Sequence, residues 1–272
     1  MNKVLAQDIT SIEDLTLGDE YLFEEVLLRN EDITKQLLER FTGIDGISDI
    51  KYISTEDVQQ ATKKSKGVRF DVYVKDQDGV AYIVELQRTD TAELPKRARY
   101  YQTTSDSRQL PKGAKYRDLK DNYVIFICRE DIFGHGLYKY TFENMCHEIK
   151  DLTLNDGTYK IFLNTQGKNV NACDDVVDFL KFIEGIASDN PFIKKIEAAA
   201  EEIKADEIWR GKRMQSLVRE QYRHDEAIAK GRAEERVEIA RNLLNLNLPI
   251  EQVVTATNLT FEAVEALQSE SS

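Results

Sequence analysis

Three residues able to do chemistry, Asp71, Glu85 and Gln87, lie in two runs of alternating character, GVRFDVYVKDQDGVAYIVELQR. Successive side chains of an extended chain point to opposite faces. Phe70, Val72 and Val74 should therefore share one face, with Asp71 and Tyr73 on the other. On the second run, Tyr82, Val84 and Leu86 share a face, and Ile83, Glu85 and Gln87 take the opposite one. Gln77-Asp78-Gly79 suits a three-residue hairpin loop closed by a left-handed glycine. That loop pairs Asp76 with Val80 and brings Asp71 opposite Glu85, about 5 Å apart between Cα atoms. Like charges facing each other across a sheet repel, and a divalent cation would resolve the conflict. Mg²⁺ takes oxygen ligands, commonly one or two carboxylates, and keeps waters. One such water, deprotonated near neutral pH, could attack a phosphodiester, and Gln87 points to the side where it could position that water. The competing reading is a solvated acidic face, and a one-residue slip of register would separate the two acids.

The elements around this hairpin follow from apolar spacing. A helical region is expected from about Glu20 to Phe41, interrupted at Arg29-Asn30-Glu31-Asp32 and ended by Gly43. A short strand is expected near Ile50–Ser54, then the hairpin strands Val68–Lys75 and Val80–Arg88. A helix over 92–108 tolerates Pro95 only in its first turn. The run VIFIC makes 123–128 a buried strand, and 136–165 reads as further strands with a turn at Asn155-Asp156-Gly157. A helix follows at Val176–Ile186, broken by Asp189-Asn190-Pro191. From Phe192 to Ala240 the Glu-, Lys-, Arg- and Ala-rich sequence reads as a helical arm, with Ile203, Ile208 and Leu217 as a weak apolar seam. At the end, one helix stops near Leu246, Pro249 starts a second and Thr260 caps a third. This spacing suits a helix-turn-helix or, equally, a helical hairpin that only packs or dimerises.

Composition narrows the classes. The formal net charge of −12 argues against a surface that binds nucleic acid everywhere. The segment Arg88–Lys120, however, carries nine Lys/Arg against four Asp/Glu, and Lys63-Lys64-Ser65-Lys66 is also basic. Attraction to phosphate follows the local field rather than the total. No apolar run approaches the roughly 20 residues of a membrane span. Cys128, Cys146 and Cys173 form no CxxC pair, so a reduced cytoplasmic setting is expected. His135, His147 and His224 lack zinc-like spacing.

The arrangement Asp71, thirteen residues, then Glu85-Leu86-Gln87 resembles the D…ExQ form of the PD-(D/E)XK nuclease superfamily. More narrowly, the chain resembles the Rpn family of recombination-promoting nucleases and transposases. Glu20-Tyr21-Leu22-Phe23 stands where that family has an acidic residue, two others and Phe. Lys96-Arg97-Ala98-Arg99-Tyr100-Tyr101 is similar to its basic-aromatic helix. Gln109-Leu110-Pro111-Lys112-Gly113 with Tyr116, Leu119 and Lys120 matches a stretch preceding its buried strand, and the C-terminal helices resemble its tail.

The resemblance implies a restriction-endonuclease-like α/β fold: a mixed sheet flanked by helices, with a C-terminal helical arm and small helical tail. It places a nuclease domain at 1–190, the arm at 191–240 and the tail at 241–272. It implies a DNA endonuclease of little sequence specificity, dependent on Mg²⁺ or Mn²⁺ and linked to recombination or mobile elements. Asp71 and Glu85 would be metal ligands, Gln87 would replace the usual lysine, and Glu20 would be an auxiliary acid. Lys96, Arg97, Arg99 and Tyr101 would contact DNA, with Arg97 and Tyr101 holding the scissile phosphate or bracing the site. A homodimer through the arm would place two sites on two strands. Phe70 stands where the superfamily pattern has proline, and Gln87 cannot carry a lysine's charge. The alternative is therefore a catalytically weak or inactive DNA-binding or assembly protein of the same fold.

Overall fold

Alternation on both sides of a glycine-closed turn makes a hairpin the element most directly specified by local sequence. The computed structural model describes residues 11–53, 68–88 and 92–270; the basic run 63–66 lies outside the described residues. In the hairpin, β1 (Ile50–Tyr52) flanks β2 (Val72–Asp76), which pairs with β3 (Ala81–Gln87). Gly79 sits at φ +87°, and the Asp76 and Val80 backbones close the loop with an N–H···O bond of 3.1 Å. The Asp76 carboxylate also accepts the Val80 N–H at 2.9 Å. Val74 faces Tyr82 and Val72 faces Val84, the register that the loop length predicts.

The first strand differs from expectation at its start. Regular pairing begins at Val72, and Asp71 lies in a bend. The bend turns Phe70 into the same apolar cluster as Tyr73 and Ile83, so Phe70 does not share a face with Val72.

β4 (Asn122–Cys128) is buried along its whole length and runs parallel to β3. β6 (Thr158–Asn164) runs parallel to β4, and β5 (Lys139–Phe142) is antiparallel to β6 at the edge. The sheet order is β1-β2-β3-β4-β6-β5, a mixed six-stranded sheet. One face is covered by α3 (Leu94–Gln109), whose Leu94, Ala98 and Tyr101 join Val124, Phe126 and Phe162 in a shared core. The other side carries α1 (Glu20–Arg29), α2 (Glu31–Thr42), α4 (Asp174–Ile183) and α5 (Pro191–Ala205). α1 packs on β2, α2 and α5, and α4 packs on α2 and α5. The break between α1 and α2 falls at Asn30, whose side chain donates to the Val26 carbonyl at 2.9 Å. Gly43 ends α2 in the left-handed region at φ +80°.

The turn before β6 has a strict requirement. Gly157 sits at φ +70°, and a Cβ there would press on the Asp121 carboxylate. Its carbonyl accepts the Asn122 N–H at 2.8 Å, which fixes the start of β4. Gly157→Ala is expected to cost roughly 2 kcal/mol or more through backbone strain and overpacking, read as a lower urea midpoint at unchanged slope.

The chain forms two units, 1–207 and 208–272. The stretch read as one helical arm divides at Asp206. α5 belongs to the first unit and buries Phe192, Ile193, Ile196 and Ile203, whereas α6 spans Glu207–Asn245. Ile203 and Ile208 therefore form no continuous seam: the first is 3% and the second 72% exposed. In the second unit the end of α6 meets α7 (Ile250–Thr257) and α8 (Phe261–Glu270) around Ala240, Leu244, Val253, Val264 and Leu267. Thr260 caps α8, accepting the Ala263 N–H at 3.3 Å. Among the described residues no helix is long and apolar enough to cross a membrane.

Candidate active site

The carboxyl ends of parallel strands are where open α/β sheets commonly bind ligands, and β3 delivers Glu85 and Gln87 to that end. The bend before β2 brings Asp71 beside them. Two reciprocal hydrogen bonds join the segments: Asp71 N–H donates to Glu85 Oε1 at 2.9 Å, and Leu86 N–H donates to Asp71 Oδ2 at 3.0 Å. The carboxylates thus converge, each held by the other strand's backbone. Asp71 Oδ1 has no hydrogen-bond partner among the described residues.

α3 contributes the third side. Arg97 Nη2 donates to Glu85 Oε2 at 2.9 Å, Nη1 to Gln87 Oε1 at 2.6 Å, and Nε to the Tyr101 hydroxyl at 2.9 Å. Its guanidinium lies 5.1 Å from the Tyr101 ring centroid and 5.4 Å from that of Phe126. The spacing of Arg97 and Tyr101, one helical turn apart, lets both face the site. Tyr101 is buried, with its ring edge-on to Phe70 at 5.0 Å, so it braces Arg97 from within the core. Lys96 and Arg99 are exposed on the outer side of α3. Arg99 borders a groove of about 520 Å³ with Asp106, Phe142, Asp156 and Lys160. That groove contains none of Asp71, Glu85 and Gln87, so volume and acid chemistry lie at different places.

Burial sets the electrostatics. Asp71 is 8% and Glu85 1% exposed. Burial first, then the Glu20 charge, push the Asp71 carboxyl up to about 7, against the pull of the Leu86 N–H; Glu24 raises it further and Arg97 opposes. Burial and the nearby Asp71 raise Glu85 well above the usual carboxylate range, with Arg97 working against them. Glu20, the exposed first residue of α1, therefore acts on the site through its field. Glu24, one turn further along the same helix, joins it and pairs with Arg69 at 2.9 Å. Glu24 and Arg69 are not among the sequence candidates. Their signals are the i,i+4 spacing from Glu20 and the position of Arg69 two residues before Asp71.

A proton-linked stability change follows. Between about pH 4 and pH 7, folded Asp71 keeps a proton that the unfolded chain has released, so stability falls as pH rises through that window. Every tenfold difference in proton affinity between the folded and unfolded chain is worth about 1.4 kcal/mol. Asp71→Asn should flatten that slope, measured as urea midpoints in EDTA between pH 4 and pH 8.

Two buried, raised carboxylates are an oxygen donor set that suits a hard divalent cation, which would favour their ionised forms. Among the described residues no group of three or more His, Cys, Asp or Glu is gathered as a metal cluster. The set is thus two protein carboxylates, within the one or two that Mg²⁺ commonly uses.

No curated protein and no solved structure matches the chain. A family model described as PD-(D/E)XK nuclease family transposase matches residues 20–233. That span takes in every helix and strand of the first unit from α1 to α5 and more than half of α6. The mixed sheet flanked by helices agrees with a restriction-endonuclease-like fold. With Asp71, Glu85 and Gln87 brought together on that scaffold, the chain belongs to the PD-(D/E)XK nuclease family transposases.

Proposed function

We propose that the protein is a divalent-metal-dependent DNA endonuclease that cuts with little sequence preference, in recombination or mobile-element movement. The observation that carries this reading is the convergence of Asp71 and Glu85, locked by reciprocal bonds to each other's backbone. Asp71 and Glu85 would hold Mg²⁺ or Mn²⁺, which supplies Lewis acidity and an activated water for phosphodiester hydrolysis. Glu85 is oriented by Arg97, and Gln87 shares the same guanidinium, so the α3 arginine provides the positive charge that a lysine at 87 would carry. Glu20 and Glu24 add negative field that strengthens cation binding. Little sequence preference is supported by the helix beside these acids: α3 offers the exposed cations Lys96 and Arg99, suited to phosphates, whose contacts position a duplex without reading its sequence.

The decisive measurement is nicking of supercoiled plasmid by the wild-type protein with Mg²⁺, Mn²⁺ or EDTA, beside DNA affinity over a range of salt. Nicking with either metal and none in EDTA is expected. Salt-dependent binding with no turnover in either metal would favour a second reading, a DNA-binding or assembly protein with a degenerate site. Gln87 in place of lysine is the observation behind that alternative. A homodimer is a proposal about assembly, resting on the exposed apolar residues of α6, Met214, Val218 and Tyr222.

A further inference from the structure

The stretch between α3 and β4, QLPKGAKYRDLK, stands out by its spacing but has no place in the acid site. It is an ordered loop. Gly113 turns it at φ +93°, and the Ala114 N–H donates to the Pro111 carbonyl at 3.0 Å. A single turn of 3₁₀ helix follows at Tyr116–Asp118. The Asp118 N–H bonds the Lys115 carbonyl at 2.8 Å, and the Asp118 carboxylate accepts the Lys115 N–H at 3.0 Å. Half-buried Leu119 anchors the end.

This small frame holds Tyr116 out from the surface: the residue is 88% exposed, the most of any large hydrophobic residue described. An aromatic ring so far out gains nothing for folding from the hydrophobic effect. Near it in the chain are Lys112, Lys115, Arg117 and Lys120, all exposed; the stretch itself holds one acid, Asp118, and exposed Asp121 follows it. Asp118 is already occupied as the loop's own backbone acceptor. Among the described residues no carboxylate pairs with any of the four cations. In a chain of net charge −12, four such cations within ten residues are a local exception.

An exposed ring flanked by basic side chains matches the chemistry of an unpaired nucleic-acid strand, where bases stack on aromatic faces and phosphates meet Lys and Arg. We propose that residues 111–120 form a second DNA contact, in which Tyr116 stacks on an unpaired base and Lys112, Lys115, Arg117 and Lys120 hold the flanking phosphates. The loop leaves the C-terminal end of α3, whereas Arg97 stands in its first turn beside Glu85. A helix of this length spans roughly 24 Å, with exposed Lys96, Arg99 and Thr103 along it. The contact therefore engages DNA several nucleotides from the acids and selects substrates with a single-stranded stretch beside the cut. This inference rests on the DNA-cutting reading for its biological sense, but its own test is binding.

The experiment measures fluorescence anisotropy of labelled oligo(dT) of about 20 nucleotides, a duplex of equal length and oligo(U), in EDTA, with full-length protein. Tyr116→Ala should weaken oligo(dT) binding roughly tenfold and duplex binding much less, while Tyr116→Phe keeps the ring and the affinity. The pair Lys115→Ala and Arg117→Ala should lower the log–log salt slope for oligo(dT) by about 1.4. All of these positions are exposed, and a matching thermal midpoint verifies folding. Oligo(dT) affinity unchanged by Tyr116→Ala, an unchanged salt slope, or tighter binding of oligo(U) than of oligo(dT) would overturn the proposal. The two readings separate cleanly. Plasmid nicking with Tyr116-independent binding removes this contact and leaves the nuclease, and Tyr116-dependent binding without metal-dependent nicking does the reverse.

Discussion

Glu85→Gln is expected to abolish metal-dependent nicking while leaving the protein as hard to unfold at pH 8 as the wild type, or harder. The amide has nearly the shape of the acid and can still accept the Asp71 N–H that Glu85 Oε1 holds at 2.9 Å. What it lacks is charge and the second acceptor oxygen, so Arg97 Nη2, which donates to Glu85 Oε2 at 2.9 Å, must turn to solvent, as its 37% exposure allows. Burial at only 1% exposure, close to a second acid, raises the Glu85 carboxyl and so disfavours its charged form, because burying an ion that is incompletely compensated is costly. Removing that cost is favourable to the fold. On the proposed reading it is ruinous to catalysis, since one of the two carboxylates that would hold the cation is gone. Metal stabilisation of developing charge is worth several kcal/mol, and about 1.4 kcal/mol is tenfold in rate, so a loss of roughly a thousandfold or more is expected. Quantified plasmid nicking in Mg²⁺ and urea unfolding at pH 8 read the two effects separately. A variant that nicks at the wild-type rate would remove Glu85 from the chemistry, whatever its stability.

Arg97→Ala should be the most damaging single change to stability at the site, costing roughly 2–4 kcal/mol. The figure is set below the full penalty for breaking a buried ion pair, because the Arg97 side chain is 37% exposed while that of Glu85 is 2% exposed. Three separate losses contribute. Glu85 loses its cation, the Gln87 carbonyl loses a donor at 2.6 Å, and the rings of Tyr101 and Phe126 lose the guanidinium stacked near them. Lysine at 97 restores charge without the planar fork, so it should recover only part of the loss. A double-mutant cycle isolates the pair: in an Arg97→Ala background, Glu85→Gln should restore stability, because the stranded acid has been neutralised. Additive effects of the two substitutions would mean that Arg97 works through packing alone. Urea midpoints of the four proteins at pH 8 decide between these outcomes.

The hairpin is legible in the sequence because two independent local signals agree on it. Alternation assigns the faces and Gly79 assigns the register, and the observed partners Val72–Val84 and Val74–Tyr82 follow from both. The caps are legible for the same reason: Gly43 and Thr260 act within one turn of chain. Alternation misplaces Phe70 because it assumes that a strand continues, and the bend at Asp71 is imposed by its bonds with Glu85 and Leu86, fourteen or more residues away in the chain. Composition misplaces α5 because a Glu-, Lys- and Ala-rich helix reads the same on a free arm as against a core. Only its partners α1 and α4 show which it is. For Arg97, residue type and helix are readable, but its direction is not. That direction depends on α3 crossing the sheet with Ala98, at 0% exposure, turned into the shared core. Of the candidate site, then, the acids are local information, and the groups that tune them are tertiary.

The dependence of Glu85 on a helix that follows it in the chain has a consequence for what completes the site. The pairing of β2 with β3 needs only residues 72–84, yet without α3 the acids beside it face one another with no counter-charge from Arg97. The packing of α3 against β4 delivers the guanidinium. A chain in which α3 has not packed therefore holds the two acids without the arginine that orients them, an incomplete site.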